Sequence, residues 1–151
     1  MSRHIILTIS LRNKNTASSS LEVNRGGKWA PDWLWCTARH RIVIIIPFRK
    51  REEHLSVFLQ VVHRILRKQL ADYRIVVVEQ ADALGFNRAF LLNIGAREAT
   101  ERFDGYYDCL ILHDVDQMPL NDNVAYHCQS NPMQLSVYME GFNYTFAPWW
   151  R

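Results

Sequence analysis

The stretch RIVIIIP, Arg41–Pro47, is a continuous β-branched run stopped by proline. A segment apolar on both faces is expected to be a buried strand of a parallel sheet rather than a half-exposed strand with alternating pattern. Downstream, Glu52 to Leu70 places Leu55, Phe58, Leu59, Val62, Ile65, Leu66 and Leu70 at helical spacing, one apolar stripe on an otherwise polar segment. Glu52 and Glu53 at its start and Arg64, Arg67 and Lys68 near its end suit the helix dipole. The unit then recurs. RIVVVE, Arg74–Glu79, reads as a second strand, and after Gly85 the side chain of Asn87 can cap a helix running to about Phe103, with Phe90, Leu91, Ile94 and Ala99 inward. Gly95 inside that helix costs about 1 kcal/mol against alanine unless packing needs the room. YDCLILH, Tyr107–His113, reads as a third strand running into Asp114-Val115-Asp116.

The order is βαβαβ, so the expected fold class is α/β with a parallel sheet and right-handed crossovers. Ligands of such sheets bind outside the carboxyl ends of the strands. The chemically distinctive residues fall at those ends. Residues 1–27 are polar, aperiodic and broken by Gly26-Gly27, and are expected to be a disordered leader. Residues 28–145 are expected to form the domain and 146–151 a divergent tail.

The 151 residues are 48% hydrophobic and 22% charged, a globular composition that excludes collagen, coiled coil and disorder of the whole chain. No apolar run approaches the roughly 18 residues of a membrane span. The net charge of +3 conceals an asymmetry. Residues 1–51 hold ten Lys/Arg against two acids, whereas residues 52–151 hold eight against thirteen. A basic front half suits nucleic acid or a phosphorylated small molecule. Only the Trp29, Trp33, Trp35 stretch offers aromatics among the cations, so no nucleic-acid partner is expected.

Three cation-bearing positions follow the first strand: Arg49, Lys50 and Arg51, after Pro47 and Phe48. They are either a solvated turn or a phosphate cradle beside a helix N-terminus, where planar arginine forks hold anionic oxygens in pairs. After the second strand, Phe86-Asn87-Arg88 offers a ring to stack on a base and a cation for a phosphate. After the third, Asp114 and Asp116 at i and i+2 are either a solvated acidic loop or carboxylates sharing a divalent cation with substrate phosphates. A phosphatase built on an aspartyl nucleophile would place its aspartates after the first strand, so that reading is discarded. His113 is either a neighbour supporting the carboxylates or a plain strand-end residue. The remaining histidines make no metal motif, and GxSxG, Walker and GxGxxG signatures are absent from the sequence. Cys36, Cys109 and Cys128 fit no zinc spacing.

Together these pieces resemble the β-1,4-galactosyltransferase family. IIIPFRKREEH (Ile44–His54), FNRAFLLNIGAREA (Phe86–Ala99) and LHDVDQMPLND (Leu112–Asp122) resemble its three donor-side boxes in order. GGKWAP (Gly26–Pro31) and QLSVYMEGFNYT (Gln134–Thr145) fit its flanking stretches. The resemblance implies a GT-A-like nucleotide-sugar-binding unit, incomplete here. The family's activity is inverting transfer of galactose from UDP-galactose to a glycan acceptor, with Mn²⁺, in the Golgi. Carried over, Pro47, Phe48, Arg49, Lys50, Arg51, Phe86, Asn87, Arg88, Val115 and Asp116 would bind the UDP-sugar donor, Asp116 the metal, and Asp114 would support it. The resemblance also pairs Cys109 with Cys128 in a disulfide and leaves Cys36 without its family partner. Asn143-Tyr144-Thr145 is a possible N-glycosylation sequon. The family's later box, with the catalytic base and most of the acceptor site, has no counterpart among these residues, so the chain is expected to be a truncated donor half, inactive alone. The alternatives are a non-catalytic UDP-sugar-binding module and an unstable truncated product.

Overall fold

The computed structural model describes residues 5–7, 27–32, 34–103, 107–136, 140 and 143–144. The strands are β1 (Ile5–Leu7), β2 (Lys28–Trp29), β3 (Arg41–Phe48), β4 (Asp72–Gln80) and β5 (Cys109–Leu112), with helices α1 (Glu52–Lys68) and α2 (Arg88–Arg102) after β3 and β4. They make one sheet in the order β1-β4-β3-β5, with β2 also pairing β4. β3 lies at its centre, parallel to both neighbours: Arg41–Phe48 run beside Asp72–Glu79, and Ile42–Ile45 beside Cys109–Leu112. The expected βαβαβ unit is therefore present, mixed rather than purely parallel because β1 and β2 pair β4 antiparallel. Ile5–Leu7 belong to the stretch expected to be a leader, yet they form a strand against Val78–Gln80. Residues 1–4 and 8–26 of that expectation, and the tail 146–151, lie outside the described residues.

The strand pleat sorts β3 and β4 between two cores. Ile42, Ile44, Ile46 and Phe48 join Tyr73, Ile75 and Val77 beneath Phe58, Leu59, Val62, Ile65 and Leu66 of α1. On the opposite face Val43, Ile45, Val76 and Val78 meet Leu91, Leu92 and Ala99 of α2. Gly95 allows that second contact: a Cβ there would stand 2.4 Å from Ile45 Cγ2 and 2.7 Å from Val78 Cγ2. The room that the sequence asked of this glycine is used by two branched side chains.

α1 ends two residues before the expected Leu70. Leu70 takes a left-handed φ of 52°, its N–H donates to Arg67 O, and Ala71 N–H donates to Leu66 O. These two bonds make a Schellman cap built on leucine where glycine is usual. Past β5 the chain has no strand or helix through residue 136. It is held to α1 by Gln69, whose amide donates to Val124 O at 2.8 Å and whose oxygen accepts from Tyr126 N at 3.1 Å. Asp122 pairs with Arg64 and Lys68. Cys109 and Cys128 form a disulfide, Cα–Cα 5.4 Å, tying the central sheet to this segment.

Candidate functional site

Three loops meet at the carboxyl ends of β3, β4 and β5. The first, Arg49–Arg51, leaves the sheet directly after Pro47 and Phe48, both buried. Arg49 crosses to the second loop, where its guanidinium donates to Leu84 O and lies 5.5 Å from the Phe86 ring centroid. The β4–α2 loop is itself organised by Gln80, whose amide donates to Asp82 Oδ1 at 2.7 Å and Gly85 O at 3.1 Å. Its oxygen accepts from Asn87 N at 2.9 Å. Asn87 Oδ1 accepts from Phe90 N at 3.0 Å and caps α2 as expected. Phe86 is left exposed at the rim.

The third loop turns sharply. Gln117 N–H donates to Asp114 O at 3.3 Å, closing the turn Asp114–Gln117, while Val115 is drawn into the α1-face core at 6% exposure. With the valine inward, the carboxylates on either side of it face the loops. They are not equivalent. Arg88 grips both oxygens of Asp114, Nε–Oδ1 2.6 Å and Nη2–Oδ2 3.0 Å, and Gln117 Nε2 adds 3.4 Å. Asp116, with its side chain 49% exposed, meets Arg51 at 3.2 Å through Oδ2. Its Oδ1 receives no hydrogen bond among the described residues.

Behind the turn stands His113, buried at the end of β5. Its backbone N–H donates to Ile45 O at 3.0 Å, its ring lies edge-on to Phe58, and its Nδ1 and Nε2 contact Asp114 O at 2.8 Å and the Tyr126 hydroxyl at 3.0 Å. Burial lowers the imidazole's pKa below its ordinary value, partly opposed by the bond to Asp114 O and the charges of Asp114 and Asp116. Burial likewise pushes the Tyr126 phenol up to about 12.

The expected site residues thus gather at one edge but in different capacities. Arg49, Lys50, Arg51, Phe86, Arg88 and Asp116 offer side chains there. Pro47, Phe48 and Val115 are core side chains, and Asn87 spends its carbonyl oxygen on the helix cap. Asn143 is an exposed turn residue with φ 50°; Thr145 of its sequon lies outside the described residues. Sequence reasoning missed Gln80, which no motif marks, and the reach of Arg88 across 26 residues to Asp114. Cys36 is a free, half-buried thiol.

A divalent cation fits this edge only in part. Among the described residues no three His, Cys, Asp or Glu side chains gather around one point. Asp116 offers one half-exposed carboxylate with an uncommitted oxygen, the donor type hard cations take while phosphates and water supply the rest. The arrangement suits a metal carried in with a diphosphate, not a closed cage.

Cations from two strand–helix loops and a carboxylate turn on the third strand thus meet at one edge of a mixed, mostly parallel α/β sheet. Residues 2–129 match the N-terminal region of glycosyl transferase group 7, and the chain belongs to that family. The match reaches back into the stretch expected to be a leader. Human β-1,4-galactosyltransferase 1 is 43% identical over 129 residues, 85% of this chain and 31% of that protein. Human β-1,4-galactosyltransferase 6 is 37% identical over 127 residues, 84% of this chain and 32% of its own. The chain therefore spans about a third of the length of these relatives. A Drosophila β-1,4-galactosyltransferase 7 solved with manganese, UDP-Gal and xylobiose superposes with TM-score 0.55 and 38% identity, covering 60% of this chain and 37% of that one. The GT-A-like reading of the fold rests on that likeness.

Proposed function

We propose that this chain binds the UDP-sugar donor of a Mn²⁺-dependent β-1,4-galactosyl transfer at the carboxyl edge of β3, β4 and β5. The observation that carries the reading is the unequal pair of carboxylates: Asp114 anchored by Arg88, Asp116 half-exposed beside Arg51. An exposed pair such as Arg51–Asp116 is worth about 0–1 kcal/mol, so it exchanges partners at little cost. Arg51 is then free for a diphosphate oxygen and Asp116 for a cation. Arg49 and Lys50 add positive charge to the same loop, and the exposed Phe86 ring offers a stacking face for uracil. When bound, the metal supplies a Lewis acid that offsets the charge growing on the leaving diphosphate.

The reaction breaks the bond between the sugar's anomeric carbon and the diphosphate oxygen and forms one to an acceptor hydroxyl on the opposite face, releasing UDP. A base must take the hydroxyl's proton. Asp114 is held by Arg88, and Asp116 is the carboxylate left for the cation, so we assign donor binding to these residues, and neither base chemistry nor the glycan acceptor site. Galactose as donor sugar, a glycan acceptor and a Golgi lumen complete the reading. Family membership supports them, as do the Cys109–Cys128 disulfide, which needs an oxidising compartment, and the exposed Asn143.

Calorimetric titration with UDP tests this. UDP is expected to bind appreciably only with Mn²⁺ present, and Asp116→Asn to remove the Mn²⁺ dependence. Asp114→Asn is expected to weaken binding less specifically, by releasing Arg88. No heat from the wild-type chain with UDP and Mn²⁺ together overturns the reading.

A further inference from the structure

The Asp114–Gln117 turn is held from behind by two buried side chains, His113 and Tyr126. Asp114 O accepts twice: from Gln117 N–H, which closes the turn, and from His113 Nδ1 at 2.8 Å. A carbonyl oxygen cannot donate, so Nδ1 carries the imidazole proton, and Nε2 is left as an acceptor. The Tyr126 hydroxyl sits 3.0 Å from that nitrogen with its ring plane 11° from the imidazole's. A hydroxyl there fixes the tautomer: the proton stays on Nδ1, aimed at the turn. Tyr126 is itself fixed by its N–H to Gln69 Oε1, two residues before the Cys128 bridge to β5. Phe58 closes the imidazole's edge at 4.9 Å between centroids. Both rings are buried, and every buried side-chain nitrogen and oxygen among the described residues has a partner.

We propose that His113 and Tyr126 are positioning residues: together they set the Asp114–Gln117 turn, and through it the aim of the Asp116 carboxylate at the donor's cation. The link to the cation rests on the donor-binding reading above; the hold on the turn does not. Without the hydroxyl the imidazole can carry its proton on Nε2, which turns a lone pair toward Asp114 O and loosens the turn. Partners that orient a ligating group in this way are typically worth roughly 10- to 100-fold in metal affinity.

Two readouts on the whole chain decide it. The first is amide hydrogen exchange without ligand. Tyr126→Phe keeps the ring and deletes only the hydroxyl; exchange at Gln117, whose N–H closes the turn, is expected to rise roughly tenfold while the β3 amides keep their rates. Unchanged exchange at Gln117 overturns the proposal, whether or not UDP or Mn²⁺ binds. The second is Mn²⁺ binding in the presence of UDP, followed by the loss of the free-ion EPR signal. Tyr126→Phe is expected to weaken it roughly tenfold. The double variant His113→Phe/Tyr126→Phe replaces both polar partners by rings, so melting temperature is expected to recover toward wild type while Mn²⁺ binding stays weak. A double variant whose Mn²⁺ affinity recovers along with its stability shows a purely structural pair and overturns the proposal. A wild-type chain that takes no Mn²⁺ with UDP overturns the cation half together with the donor-binding reading, and the exchange data then stand alone for or against the turn.

Discussion

The α1 face and the α2 face of the sheet bury the same two strands by different means. On the α1 side a wide apolar stripe, centred on Phe58 and extended by Val115 and Tyr126 from the segment after β5, fills a deep layer. On the α2 side the helix carries little apolar stripe, and among the described residues seven buried side chains form the core, flanked by Phe103, Tyr107 and Leu110. Contact there comes from proximity: Gly95 brings the α2 backbone against Ile45 and Val78. One face is stabilised by buried area and the other by an absent side chain, so volume lost should injure the first and volume gained the second.

Phe58→Ala should be the most damaging change, since it empties the α1-face core and removes the edge contact to His113. A loss of about 3–5 kcal/mol in urea unfolding is expected. A loss under about 1 kcal/mol would mean that the α1 face is not the principal core.

His63 sharpens the contrast through pH, because the deep face also buries a titratable group. Its Nδ1 lies 2.7 Å from the Tyr73 hydroxyl, and burial, with Arg67 nearby adding to it, lowers its pKa from 6.5 to about 4. Between those values the unfolded chain holds a proton that the folded chain refuses. Stability is therefore undiminished above pH 6.5, falls as pH drops toward 4, and levels off below. The full span corresponds to about 3 kcal/mol. His63→Gln should reduce the slope of the unfolding free energy across that window, leaving the smaller part that buried His113 contributes; an unchanged slope assigns the acid sensitivity elsewhere.

Gly95→Ala tests the shallow face. Helix propensity alone favours alanine by about 1 kcal/mol, but the new methyl meets two packed branched side chains, so a net loss of about 1–3 kcal/mol is expected in the same assay. A stabilised Gly95→Ala chain would show that α2 rides higher on the sheet. Smallest is Leu70→Gly at the end of α1. It relieves a left-handed leucine that is nearly half exposed and should raise stability by up to about 1 kcal/mol, read as a higher melting temperature.

What could be foreseen from the residues divides along similar lines. The β-branched runs of β3 and β4, the α1 stripe and the Asn87 cap are local patterns, and each matches the element observed. The end of α1 could not be read, because leucine carries no left-handed preference and the cap is imposed by the chain's turn into β4. Nor could β1 and β2, two or three residues long, whose pairing depends on the edge β4 offers. At the site, the cluster of cations and carboxylates at the strand ends was visible as residue types in order. Which aspartate stays available came only from the family resemblance and not from the residues themselves, since Arg88 selects Asp114 from a distant loop. For His113 the sequence left two readings open, and its two ring contacts favour the supporting one.

The bridge between Cys109 and Cys128 joins residues 19 apart, and the ring it closes contains the carboxylate turn, His113 and Tyr126. Closing a loop of that length removes conformational freedom worth about 3 kcal/mol from the unfolded chain, on the entropic account. More specifically, it keeps the tyrosine and the histidine at high mutual concentration before either has packed. Assembly of the turn's support becomes a search within one small covalent circle, completed when α1 brings Phe58 and Gln69 against it.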